Sequence, residues 1–144
     1  MMTEQKQAAL SSAIYFSRLQ LAGEAVDTDD KRLRVSGLYP DWAPGVHAVG
    51  DIHNAQGQTW ETHQAYDNAE HPDVTPGSEA WPTFERPLHG TSPETARAWC
   101  QPRYGTTDMY RAGEYMVWTD GSIRRCLRDT NFSPEEYPAD WSPA

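Results

Sequence analysis

Two stretches of the chain follow one pattern, and a repeat of this size restricts the fold more than any other feature of the sequence. The first runs HAVGDIHNAQGQTWETHQAYDN, from His47 to Asn68, and later reaches TPGSEAW; the second runs YRAGEYMVWTDGSIRRCLRDTN, from Tyr110 to Asn131, and later reaches YPADW. In each, a glycine and an acid (Gly50-Asp51, Gly113-Glu114) open a strand and a turn follows at Gly57 or Asp120-Gly121. A second strand then leads to a proline and a tryptophan, Trp81 or Trp141. The expectation is a duplicated hairpin unit, with the turn glycine supplying a positive φ. Alternation sets Tyr115 and Val117 on one face and Met116 and Trp118 on the other, and Ile52 is expected opposite or beside Trp60. An isolated hairpin is marginal in water, so each unit needs a cover. The tails ending at Trp81 and Trp141 are the candidates.

Upstream of the repeat the texture is helical. From Glu4 to Ala22 the apolar positions Ala8, Leu10, Ala13, Ile14, Phe16, Leu19 and Leu21 recur in three- and four-residue steps, with no proline before Gly23. A second short helix is expected from Thr28 or Asp29, with Leu33, Val35 and Leu38 on one side and Pro40 ending it. The fold class expected is therefore α+β: a helical segment over 1–38, serving attachment or oligomerisation, then two small antiparallel β modules over 39–89 and 90–144. With 38% hydrophobic residues and a mean hydropathy of −0.79, the 144-residue chain is expected to bury only a small core. Its aromatics are mostly rings with a polar handle, 6 Trp and 7 Tyr against 3 Phe, which suit half-wet recognition surfaces.

Charge and motif exclude several functions. A net charge of −9 opposes binding to a phosphate backbone, and the local cluster of Arg124, Arg125 and Arg128 does not offset it, so no nucleic-acid partner is expected. No apolar run approaches the roughly 20 residues that cross a bilayer, and MMTEQKQAALSSA has neither the basic nor the apolar region of a signal peptide. Cys100 and Cys126 lie in the same half of the chain, which leaves a disulfide open; two isolated cysteines have no metal-site spacing. The five histidines, His47, His53, His63, His71 and His89, form no metal motif either, and neither metal nor cofactor is expected. No nucleophile elbow, phosphate loop or dinucleotide fingerprint occurs, and nothing nominates the carboxylate pair about 5 to 9.5 Å apart that a glycosidase needs. The expectation is a protein that is not an enzyme.

With these residues in view, the chain resembles tandem modules of carbohydrate-binding family 5/12, also called chitin-binding type 3. Trp42, Gly50, Asp51, Gly57, Trp60, Pro76 and Trp81 carry the likeness in the first module. Gly113, Glu114, Gly121, Asp129-Thr130, Pro138 and Trp141 carry it in the second, where Arg124 stands at a position usually aromatic. The chain from Asp29 onward is also similar to a group of prophage tail-associated proteins with a helical segment, an LYP-x-W motif, here GLYPDW, and two such modules. The resemblance implies sugar binding by exposed aromatics, display on a virion after synthesis in the host cytoplasm without a signal peptide, and other phage tail proteins as neighbours. The ligand would be a host cell-surface or chitin-like polysaccharide, bound weakly by each module and strengthened by avidity in a homo-oligomer built through the N-terminal helix.

Sugar recognition needs flat aromatic faces and polar groups for hydroxyls. In module one Trp60, Tyr66 and Trp81 are candidates for the platform, and Glu61, Gln64 and Asn68 for hydrogen bonding. In module two Trp118 and Tyr110 are candidates, with Arg124 suited to an anionic glycan; Tyr137 and Trp141 are further aromatics. The alternative is that these tryptophans form the mini-core a short sheet otherwise lacks. The modules would then be protein-contact domains of a structural tail component. A third reading, the detached binding domain of a chitinase-like enzyme, requires a catalytic partner chain.

Overall fold

The computed structural model describes residues 3–144; the first two residues of the expected helical segment lie outside the described residues. Helix α1, Glu4–Leu21, starts where the Thr3 hydroxyl accepts the Lys6 N–H at 3.2 Å and ends where the Glu24 N–H reaches back to the Leu19 carbonyl, just past Gly23. Helix α2, Asp29–Arg34, is capped by Thr28. It is shorter than its apolar pattern suggests: the chain tightens into a 3-10 turn at Ser36–Leu38, which buries Leu33 and Val35 and leaves Leu38 exposed. That turn receives α1. The Gly37 N–H donates to the Ser12 hydroxyl at 3.0 Å, and a Cβ at Gly37 would stand 2.7 Å from the Ala8 carbonyl oxygen, so helix and turn meet backbone to backbone. Ser12 and Leu19 face inward; Leu10, Ile14 and Leu21 form an exposed stripe on the other side of the helix.

The β region contains β1 (Val46–His47), β2 (Ile52–Ala55), β3 (Gln58–Thr62), β4 (Tyr66–Asp67), the short helix α3 (Trp81–Phe84), β5 (Glu85–Pro87), β6 (Arg97–Ala98), β7 (Tyr115–Val117), β8 (Ile123–Cys126) and β9 (Trp141–Pro143). The fold class is α+β, as its sequence pattern suggests. Neighbouring strands are antiparallel except β6 and β7, which are parallel. In the first hairpin Trp60 lies across from His53, and Ile52 from Glu61.

The two halves repeat bond for bond. The Trp42 N–H donates to the Asn54 carbonyl at 2.8 Å, as Trp99 does to Val117 at 2.8 Å. Gly50 donates to Thr62 and Gly113 to Cys126, both at 2.9 Å, from backbones with φ of 93° and 91° that favour glycine. The acid after each glycine folds back on the turn: Asp51 accepts the Ala48 N–H and Glu114 the Arg111 N–H. Each unit also holds a parallel ring stack. His47 lies between Trp42 (5.7 Å, 16°) and Tyr66 (4.9 Å, 30°), while Tyr110 lies between Trp99 (5.0 Å, 11°) and His89 (3.8 Å, 7°).

The units share backbone and charge. Leu88 donates to Thr59 in the first sheet, and two residues later Gly90 accepts the N–H of Tyr115 in the second, so the join at residues 89 and 90 runs along a segment that serves both. Helix α2 braces the same join. Asp29 takes two hydrogen bonds from Arg86, at 2.9 and 3.2 Å, while Asp30 accepts from the Thr91 N–H and the Thr95 hydroxyl. Burial is the largest influence on both carboxyls and raises their pKa. Arg86 and Arg32 outweigh it at Asp29, and Thr95, Thr91 and Arg34 outweigh it at Asp30, so both end below their ordinary 3.8. A depressed folded-state pKa gives stability that is present above the unfolded value and lost as pH falls through the folded one. Urea midpoints are therefore expected to drop between about pH 6 and about pH 3, and Asp29→Asn to lower the first while narrowing the gap to the second. An unchanged gap in Asp29→Asn would remove this brace from the acid response.

Candidate functional site

Each half has its own core, and the expected ligand residues Trp60, Tyr66, Trp81 and Tyr110 are in one or the other. In the first, Trp60, Tyr66, Val74, Trp81 and Phe84 cluster together, with Trp60 and Tyr66 each 5% exposed and Trp81 1%. The second gathers Tyr110, Met116, Cys126 and Trp141, with Tyr110 1% exposed. The expectation of open aromatic platforms at Trp60, Tyr66, Trp81 and Tyr110 is corrected here: α3 folds Trp81 edge-on to Trp60 (5.3 Å, 83°), closing the face on which a sugar would lie. A small sheet has few aliphatic residues with which to exclude water, and indoles take that role. The indole N–H groups of Trp60 and Trp141 are satisfied by the carbonyls of Ala55 and Phe132, both at 2.9 Å.

A carboxylate sits at the bottom of the first core. Glu85, at the start of β5, has its Oε1 2.9 Å from His53 Nε2, 2.7 Å from the Thr62 hydroxyl and 2.8 Å from the Tyr66 hydroxyl. The Trp42 indole donates in turn to the Tyr66 oxygen at 2.8 Å. Burial pushes the Tyr66 phenol well above its usual range, with Trp42 partly offsetting and Glu85 adding to the rise. Glu85 Oε2 and Trp81 Nε1 are buried without a hydrogen-bond partner within the chain.

The remaining expected contacts do not converge. Glu61 is half-buried and ion-paired to Arg86 at 2.7 Å. Asn68 is a loop clamp, accepting from Gly45 and donating to the carbonyls of His71 and Val74, so its amide is already used. Gln64 is exposed, and Trp118 is half-buried with its edge to Trp99 (5.7 Å, 73°). Arg124 is turned back to its own hairpin, toward Ser122 and Asp120, rather than outward to an anion. The two cysteines are free thiols in different packing environments: Cys100 lies against the first core and Cys126 in the second, so the disulfide left open by the sequence does not form. Burial pushes the Cys100 thiol up to about 11, with Asp108 adding to the rise, and the Cys126 thiol up to about 12. Neither is a ready nucleophile near neutrality.

What the fold does assemble is a groove between the halves, about 440 Å³ in volume. The half-exposed Trp99 is its accessible aromatic face, and behind it the groove abuts the buried Trp60, Trp81, Pro82 and Pro87. Its polar rim carries Gln56, Gln101, Arg103 and Asp108. Asp108 fixes the rim by accepting the N–H groups of Arg103 (2.7 Å) and Tyr104 (3.0 Å), and Gln58 ties the halves together by donating to the Ala98 carbonyl at 2.6 Å. One indole face with amide and charged groups at the edge suits a ligand that is apolar on its faces and hydroxylated around its perimeter. A second exposed aromatic surface lies in the second half, where Phe132 and Tyr137 stack (6.0 Å, 29°) under the Arg128 guanidinium.

Trp99, Gln101 and Arg103 were not among the residues the sequence nominated. One signal does point to Trp99: it closes ARAW as Trp42 closes YPDW, each a short stretch upstream of its hairpin. Among the described residues, no helix is long and apolar enough to cross a membrane. No family model matches the chain, and a search of curated proteins finds no significant relative.

Proposed function

We propose that this chain is a non-catalytic binder of a host cell-surface or chitin-like polysaccharide, acting as an accessory of a phage tail, and that the saccharide lies in the groove between the two halves. The lining of that groove carries the reading: the indole of Trp99 beside Gln56, Gln101 and Arg103 combines a stacking face with hydrogen-bonding groups for hydroxyls. The Phe132–Tyr137 pair offers a further contact along a long polymer. The exposed stripe of α1 supplies a route to a homo-oligomer and so to avidity.

Retention on insoluble chitin and on purified bacterial cell walls tests the reading. Gln101→Ala with Arg103→Ala removes two exposed rim side chains and leaves both cores intact. The wild type is expected to be retained and the folded double variant to lose at least about tenfold in affinity, the scale of one or two lost polar contacts. Equal retention of both proteins would remove the groove from the account.

A second reading is favoured by the burial of Trp60, Tyr66 and Trp81, which leaves less open aromatic face than a sugar platform uses. In it the protein is a structural tail component whose modules contact other tail proteins. No retention on any wall material, together with an oligomer that dissociates in a Leu10→Glu, Ile14→Glu variant by sedimentation, is its expected signature.

A further inference from the structure

A separate recess, a cleft of about 620 Å³, lies between the α1-receiving turn and the first hairpin. Its floor is held rigidly. Asn54 donates to the carbonyls of Ser36 (2.9 Å) and Tyr39 (3.2 Å), and its Oδ1 accepts the Thr59 hydroxyl at 2.6 Å. Into this neutral floor comes Arg97, from edge strand β6.

Arg97 is exceptional among the half-buried cations. Lys31, Arg32, Arg34, Arg86 and Arg124 each have a carboxylate partner. Arg97 forms no ion pair among the described residues. Its Nη2 donates to the Ser36 hydroxyl at 3.0 Å and the Leu33 carbonyl at 3.4 Å, and among the described residues nothing in the chain accepts from the N–H groups of Nε or Nη1 on either side of it. Burial alone holds its pKa below the ordinary arginine value. A guanidinium taken partly out of water without an opposing charge is costly, and an anion that accepts from its free N–H groups recovers that cost.

We propose that this cleft binds an acidic saccharide unit, with a free N–H of Arg97, at Nε or Nη1, donating to a singly charged oxyanion, either a uronate carboxylate or the phosphodiester of a polyol-phosphate chain. The inference takes the sugar from the polysaccharide reading above and the charge from Arg97. Asp41, exposed on the cleft rim, repels a second negative charge and so selects a monoanion over a phosphate monoester. Gln58 lines both this cleft and the intermodular groove, so one polymer can reach from one recess to the other.

The test is an NMR titration of the intact protein with three probes, trigalacturonate, tri(glycerol phosphate) and neutral chitotriose. At least one acidic trimer is expected to move the Arg97 Nε–H resonance and the amides of Ser36, Asn54 and Thr59, with an affinity that falls as salt rises from about 50 to about 500 mM. The responding trimer identifies the oxyanion. Arg97→Gln is expected to weaken that binding at least about tenfold, and Arg97→Lys, which keeps the charge and loses the planar fork, by less. Should Arg97→Gln fail to fold, the wild-type Nε–H shift and its salt dependence still decide the matter. Silence of the cleft resonances toward both acidic trimers, or equal binding by a folded Arg97→Gln, overturns the proposal. Chitotriose reports separately on the groove: its failure alongside acidic-trimer binding at Arg97 defeats the groove reading and leaves the cleft standing.

Discussion

Replacing Glu85 with alanine is expected to cost about 3–5 kcal/mol of stability, a large share of the roughly 5–15 kcal/mol that holds a domain of this kind together. The cost does not come mainly from lost packing. Glu85 Oε1 is the common acceptor for His53, Thr62 and Tyr66, and all four residues are buried. Removing it strands donors that have no route to water. Glu85→Gln keeps an acceptor in place and is expected to cost less, about 1–2 kcal/mol. Urea unfolding followed by tryptophan fluorescence measures both, since Trp60 and Trp81 report on this core. Equal losses for the two variants would mean that the negative charge, rather than the acceptor, is what the web requires.

The second large effect is expected at Trp81. It is 1% exposed and meets Trp42 (5.7 Å, 80°) and Trp60 (5.3 Å, 83°) edge to face. Trp81→Ala therefore opens a cavity bounded by rings that cannot close over it, at a cost of about 3–5 kcal/mol. Trp118→Ala, at a half-buried site beside a turn, is expected to cost about 1 kcal/mol. Urea midpoints of the two variants, compared under one condition, test the ordering. A Trp81→Ala variant no less stable than Trp118→Ala would show that the first core is held without that indole.

The residues of α1 and of the two hairpins carry local signals: helical spacing up to Gly23, and turn glycines at Gly57 and Gly121. These elements were legible because the information lies within a few residues of where it acts. The burial of Trp60 and Trp81 was not, because a tryptophan in a short strand is identical on paper whether its face is open or covered. What decides is the path of the chain from Tyr66 to Phe84, which brings α3 over the sheet. The groove was hidden for a related reason, since its wall needs Trp60 from one hairpin and Trp99 from the start of the next unit. Nor does sequence spacing announce the brace at α2: Asp29 and Arg86 are 57 residues apart. Arg97 looks like any other arginine until its neighbours are known to be a carbonyl and a hydroxyl rather than a carboxylate.

The cross-ties between the halves set the timing of any binding event in the groove. Gln58 to Ala98 joins two of its lining residues, while Asp29 to Arg86, Asp30 to Thr95 and the shared backbone from Leu88 to Gly90 hold the two units to α2 and to each other. Walls fastened in this way have no hinge to swing, so a ligand meets a finished slot instead of waiting for one to open. Association is then a single encounter, with an observed rate that climbs linearly with ligand concentration and does not level off. On the saccharide reading proposed above, polymers that differ in fit are expected to be told apart by how long they stay, not by how fast they arrive.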